Sequence, residues 1–159
     1  TGNGGRRFTY CAYDPTAGLG QQQGNALELN NNYLINHDAG STMVLYLPGT
    51  ATGKPTPQTG DMIRFIELSG NLTYNTSLVI RANKIDNVAV PIQGDNSGSL
   101  IGAGAVGTQI SPRWDSGEMI IQTRNASFGL VYVGNVDIEG STSAKTIPAS
   151  LRGWWLMEL

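Results

Sequence analysis

Residues 41–49 read Ser-Thr-Met-Val-Leu-Tyr-Leu-Pro-Gly, STMVLYLPG, and residues 60–68 follow with Gly-Asp-Met-Ile-Arg-Phe-Ile-Glu-Leu, GDMIRFIEL. In the first run Met43, Leu45 and Leu47 alternate with Thr42, Val44 and Tyr46. A period of two is the signature of a half-buried strand, so Leu45 and Leu47 are predicted to face the core while Thr42 and Tyr46 face away. Pro48-Gly49 ends the strand where a ladder donor is no longer needed. Neither run carries an obvious reactive group.

Working outward, Tyr33-Leu-Ile35 precedes the turn residues Asp38-Ala-Gly-Ser41, and the pattern predicts a hairpin with the 41–49 strand. Ser77 to Ala82, Val88 to Ile92, Glu118 to Thr123 and Phe128 to Val133 read as further strands, the last two as a second hairpin about Asn125-Ala-Ser127. The chain closes on Trp154-Trp-Leu-Met-Glu-Leu159, and no window keeps a helical stripe. Short strands separated by turn residues predict an all-β fold, an antiparallel β-sandwich or partly open barrel. Residues 1–25, rich in glycine and without sustained periodicity, are expected to form an N-terminal arm or linker containing one short strand. Residues 26–159 are expected to form the domain, with a glycine-rich loop insertion near 95–117. Internal repetition in the sequence is faint.

Composition points the same way. A chain of 159 residues suits one domain with a sizeable core. Its 21 Gly and 7 Pro, with 14% charged residues, suit turns and are poor material for helices. A net charge of -2 with scattered Lys and Arg gives no basic face for a nucleic acid. No apolar run approaches the roughly 18 residues of a membrane span, so no membrane insertion is expected. The first residue is Thr1 rather than an initiator Met, which carries the expectation of a processed product or a piece of a longer polypeptide. The single Cys11 excludes an internal disulfide, and its place in Phe8-Thr-Tyr-Cys-Ala12 suits a small residue on a half-buried strand.

Motifs that suggest chemistry lack the context that chemistry requires. Gly102-Ala-Gly-Ala-Val-Gly107 matches the dinucleotide fingerprint, yet Pro112 and Ser116-Gly117 break any helix that would receive the pyrophosphate. His37 lies beside Asp38 and near Ser41, too close along the chain to form a hydrolytic triad. One His and one Cys do not supply a zinc site. Twelve carboxylates leave a glycosidase pair unmarked, and the Asn71, Asn75 and Asn125 sequons mark surface turns at most. No catalytic residue, metal ligand or cofactor is assigned.

The order of the segments resembles a β-domain of contractile-tailed bacteriophages. That domain occurs in the baseplate wedge protein carrying the short tail fibres and in the N-terminal anchor regions of branched tailspikes. The resemblance runs through Tyr33-Leu-Ile-Asn36, Val44-Leu-Tyr-Leu-Pro48, Gly60-Asp-Met-Ile63, Asn75 with Leu78-Val-Ile80, Ile92-Gln-Gly94, Leu130-Val-Tyr132 and Gly153-Trp-Trp-Leu156. It covers about residues 26–159; the loop from Asp95 to Gly117 and the connection from Gly134 to Ser150 exceed the family core. The resemblance implies a non-enzymatic structural protein of the virion, a homotrimer joining a fibre or spike to other tail or baseplate proteins. The parent polypeptide would then meet host surface glycan.

For such a module the interface candidates are Arg6, Arg7, Phe8, Tyr10, Tyr13, Trp114, Trp154 and Trp155, with Arg113 at the polar rim. Adjacent tryptophans on one strand point to opposite faces, so one can join the core while the other meets a partner. The rival expectation is a carbohydrate-binding β-sandwich that stacks sugar on Trp154, Trp155 or Tyr132.

Overall fold

The computed structural model describes residues 7–37, 40–50, 54–72, 76–94, 116–136 and 146–158. It is strand-dominated: β1 Phe8–Ala12, β2 Asn31–Asn36, β3 Met43–Tyr46, β4 Met62–Glu67, β5 Leu78–Arg81, β6 Ile92–Gln93, β7 Glu118–Ile121, β8 Ser127–Val133 and β9 Gly153–Glu158. One 3-10 turn, Ala149–Leu151, precedes β9. The strands form a six-stranded sheet in the order β1-β2-β4-β8-β9-β6 and a three-stranded sheet in the order β3-β5-β7.

Both sheets are mixed, not antiparallel. β1, β2 and β4 run parallel, as do β3 and β5, and β6 and β9, while β4–β8, β8–β9 and β5–β7 are antiparallel. Neither expected hairpin forms: β2 and β3 lie in different sheets, and so do β7 and β8. The alternation of side chains identifies which face of a strand is buried. It does not say whether the next strand pairs through the backbone or crosses to the opposite sheet.

Successive passes of the chain therefore wind between the sheets. Gly20 O accepts from Tyr46 N at 2.8 Å and Leu27 N donates to Tyr46 O at 2.9 Å, so both ends of the 20–27 segment are tied to β3 at Tyr46. What repeats is the path of the backbone rather than any residue pattern. Within residues 1–25 the described part contains one short strand, β1, which pairs along β2 and carries Cys11 into the core. The 95–117 loop lies largely outside the described residues.

One hydrophobic cluster draws on both sheets, including Tyr33, Ile35, Ile63, Phe65, Phe128 and Trp154 from the larger and Met43, Leu45, Leu78, Ile80, Met119 and Ile121 from the smaller. Phe65 and Phe128 stack with centroids 4.9 Å apart. Leu45 and Leu47 are fully buried, and Thr42 and Tyr46 are not, in the register that the alternation predicts. Gly153 opens β9 at φ +133, and a Cβ there would lie 2.4 Å from Pro91 O, so only glycine lets β9 approach the segment leading into β6.

Buried polar groups pin the crossings. His37 ends β2 inside the molecule, where its Nε2 accepts from Met43 N at 3.1 Å and its ring stacks on Tyr13. The Glu67 carboxylate, also buried, accepts from Ser69 N, Ser69 Oγ, Gly70 N and Asn125 N. It thereby ties the end of β4 to the chain that crosses from β7 to β8. A carboxylate can occupy that apolar setting because several donors replace its lost hydration.

Candidate assembly surface

The outward positions of the six-stranded sheet form continuous cross-strand rows. In one row Tyr10, Leu34, Ile66 and Ser127 stand side by side on β1, β2, β4 and β8. In the next, Phe8, Asn32, Arg64, Gly129 and Met157 cross five strands. A third runs through Met62, Val131, Trp155 and Gln93. Local sequence dictates this arrangement: in Met62-Ile-Arg-Phe-Ile66, Ile63 and Phe65 turn inward, which sends Met62, Arg64 and Ile66 out.

The result is an apolar outer face, with Phe8 48% and Tyr10 58% exposed and Ile66 and Leu68 exposed as well. Arg64 lies within it. Its Nε donates to Met62 Sδ at 3.2 Å, and it forms no ion pair among the described residues. The smaller sheet presents a different outer face. There Tyr46, Arg81 and Glu118 occupy one row, Arg81 Nε contacts Glu118 Oε2 at 2.6 Å, and its Nη1 donates to Tyr46 OH at 3.3 Å. Charge is satisfied internally on that side and left open on the other.

The sequence-based interface candidates divide accordingly. Phe8, Tyr10 and Trp155 share the outer face of the larger sheet, Phe8 and Tyr10 on β1 and Trp155 on β9, with β2, β4 and β8 between them. Arg7 borders them and pairs with Glu28 at 3.3 Å, an exposed contact of small energetic weight. Trp154 is withdrawn from the set: it is fully buried, packs edge-on against Tyr132 with centroids 5.4 Å apart, and its Nε1 has no hydrogen-bond partner among the described residues. The alternation that exposes one neighbour buries the other, and Trp155 Nε1 donates to Leu151 O at 2.8 Å. Tyr13 is half-buried against the core, which gives it a packing role. Arg6, Arg113 and Trp114 lie outside the described residues, as does the glycine motif at 102–107.

Sequence reading missed Arg64, Leu34 and Ile66. The signal was present in the alternation of residues 62–66, but the partner strands that turn a stripe into a surface could not be read. Among the described residues no three or more His, Cys, Asp or Glu side chains gather where they could hold a metal ion. No family model matches the chain, and no curated protein or solved structure matches it.

Proposed function

We propose that this chain is a structural attachment module of a contractile phage tail, a domain of a tail fibre, tailspike or baseplate wedge that assembles as a homotrimer and docks to other tail proteins. The observation that carries the proposal is the apolar outer face of the six-stranded sheet, with Arg64 open within it. A largely apolar surface of this kind marks an interaction site, and Arg64, between Met62 and Ile66 along β4 and between Asn32 and Gly129 across it, adds the kind of charged residue that interfaces favour. The order of the segments that resembles the phage β-domain supports the same role. On this reading the two sheets are the layers of a β-sandwich whose inner faces supply stability and whose larger outer face supplies assembly. The rival sugar-stacking module loses Trp154 to the core.

Light scattering on the intact polypeptide that carries this chain should give a trimer. Ile66→Asp, which sets a carboxylate at the centre of the face, should yield a folded monomer. Val88→Asp, at an exposed aliphatic outside the face, should leave assembly unchanged. A monomeric wild-type polypeptide, or a trimer indifferent to Ile66→Asp, would overturn the proposal.

A further inference from the structure

A second surface lies at the far end of the core-facing side of β8. There a cleft of about 280 Å³ is lined by Tyr132, the tight turn at Ile85–Val88, Pro91, Asn135 and Arg152. Its volume is just below the range typical of drug-sized ligand sites, about 300–1,000 Å³, and suits a single small ring. Its floor is rigid: Tyr132 rests edge-on against the buried Trp154. One wall is a two-residue turn in which Ile85 and Val88 exchange both backbone hydrogen bonds, with Asp86 at φ 50 and Asn87 at φ 63. Asp86, an exposed residue of this turn, thus lines the cleft from a fixed backbone.

Arg152 also lines the cleft. Its Nε and Nη2 donate to Ile147 O at 2.9 and 2.8 Å, and Nη2 also donates to Asn135 Oδ1 at 3.1 Å. All these acceptors are neutral. Arg152 makes no ion pair among the described residues, and Nη1 is the guanidinium nitrogen without a hydrogen bond there. The Tyr132 phenol is raised above its ordinary pKa mainly by burial, with Arg152 pulling it down and Asp86 pushing it up, so both a cation and an anion act on it.

A ligand that fits must therefore combine three properties. It needs an anionic group for the fixed guanidinium, hydroxyls that can donate to Asp86, and an apolar face for the Tyr132 ring and the aliphatic rim of Val88 and Pro91. We propose that this cleft binds an acidic saccharide, a uronic-acid residue whose carboxylate meets Arg152 Nη1 and whose ring lies on Tyr132. A neutral hexose lacks the first property, and a small inorganic anion lacks the other two. The assignment stands apart from the assembly surface, which occupies the other side of the sheet, so either can fail without the other.

The test uses wild-type protein and three uronates, galacturonate, glucuronate and mannuronate, each beside its neutral parent hexose, in ligand-observed and amide chemical-shift NMR titrations. At least one uronate should shift the amides of the 85–88 turn and of Tyr132, and should bind about tenfold or more tightly than its parent, the measure of one hydrogen bond to a charged group. Arg152→Gln should erase that preference, Tyr132→Ala should remove binding, and Asp86→Asn, compatible with the turn, should weaken both sugars alike. Because Arg152 also braces its loop, the shift map on wild-type protein and the Asp86→Asn variant decide the matter should Arg152→Gln misfold. If no uronate outbinds its parent hexose, or if the shifts fall elsewhere, the proposal is wrong.

Discussion

Cys11 shows how one side chain records its surroundings. Its thiol donates to Leu19 O at 3.3 Å, and burial pushes its pKa from 9.0 up to about 11. The unfolded chain releases this proton first. The contribution of Cys11 to stability is therefore complete below about pH 9 and is lost as pH rises toward 11, a decline of up to about 2–3 kcal/mol for a shift of this size. The Tyr33 phenol, also raised mainly by burial, adds a loss of the same sign. Denaturant midpoints should fall between pH 9 and 11 in the wild type and fall less in Cys11→Ala, and thiol reagents should label Cys11 only on unfolding. The sequence sets Cys11 on the face opposite Phe8, Tyr10 and Ala12 but does not say which face is inward; the structure buries Cys11 and exposes the two aromatics. The sequence likewise divides Trp154 from Trp155, though it does not say which of the two is inside, since that depends on the register of β9 against β8.

At the level of elements, alternation was legible and partnership was not. Met43, Leu45 and Leu47 lie inside as their spacing requires, yet β3 pairs with β5 instead of folding back on β2. The residues that enforce such crossings are polar and carry no periodic signal. Glu67 is the clearest: it follows Ile63 and Phe65 at an inward position of β4, where sequence alone suggests a third apolar residue. Four donors converge on it from two separate segments. Glu67→Ala should leave those donors unmatched and lower stability by roughly 1.5–3 kcal/mol, the range for hydrogen bonds to a charged group. Equilibrium denaturation would measure the loss, and a change under about 0.5 kcal/mol would place Glu67 with ordinary surface residues.

For the whole molecule, the all-β character followed from glycine, proline and short alternating runs, while the winding of the chain between two mixed sheets did not. Nothing in the residues repeats with the winding, because inward positions of successive passes are filled by side chains of different shape: Cys11, Ile35 and Glu67 succeed one another across β1, β2 and β4. The apolar outer face was illegible for the same reason. It is assembled from Tyr10, Leu34 and Ile66, whose adjacency exists only once strand order is known. That strand order also has a consequence in time. No two neighbours in the smaller sheet are consecutive in the chain, and the centre of the larger sheet joins Phe65 to Phe128. Large loops must close before such contacts reward the chain, which places refolding in the slow regime of milliseconds to seconds or longer. Stopped-flow fluorescence of the tryptophans should show this, and a microsecond phase carrying the full amplitude would contradict it. During synthesis β6 and β8 must wait for Gly153–Glu158 to emerge before either gains β9, so a ribosome stalled short of that strand holds a nascent chain with both edges open to the wrong neighbour.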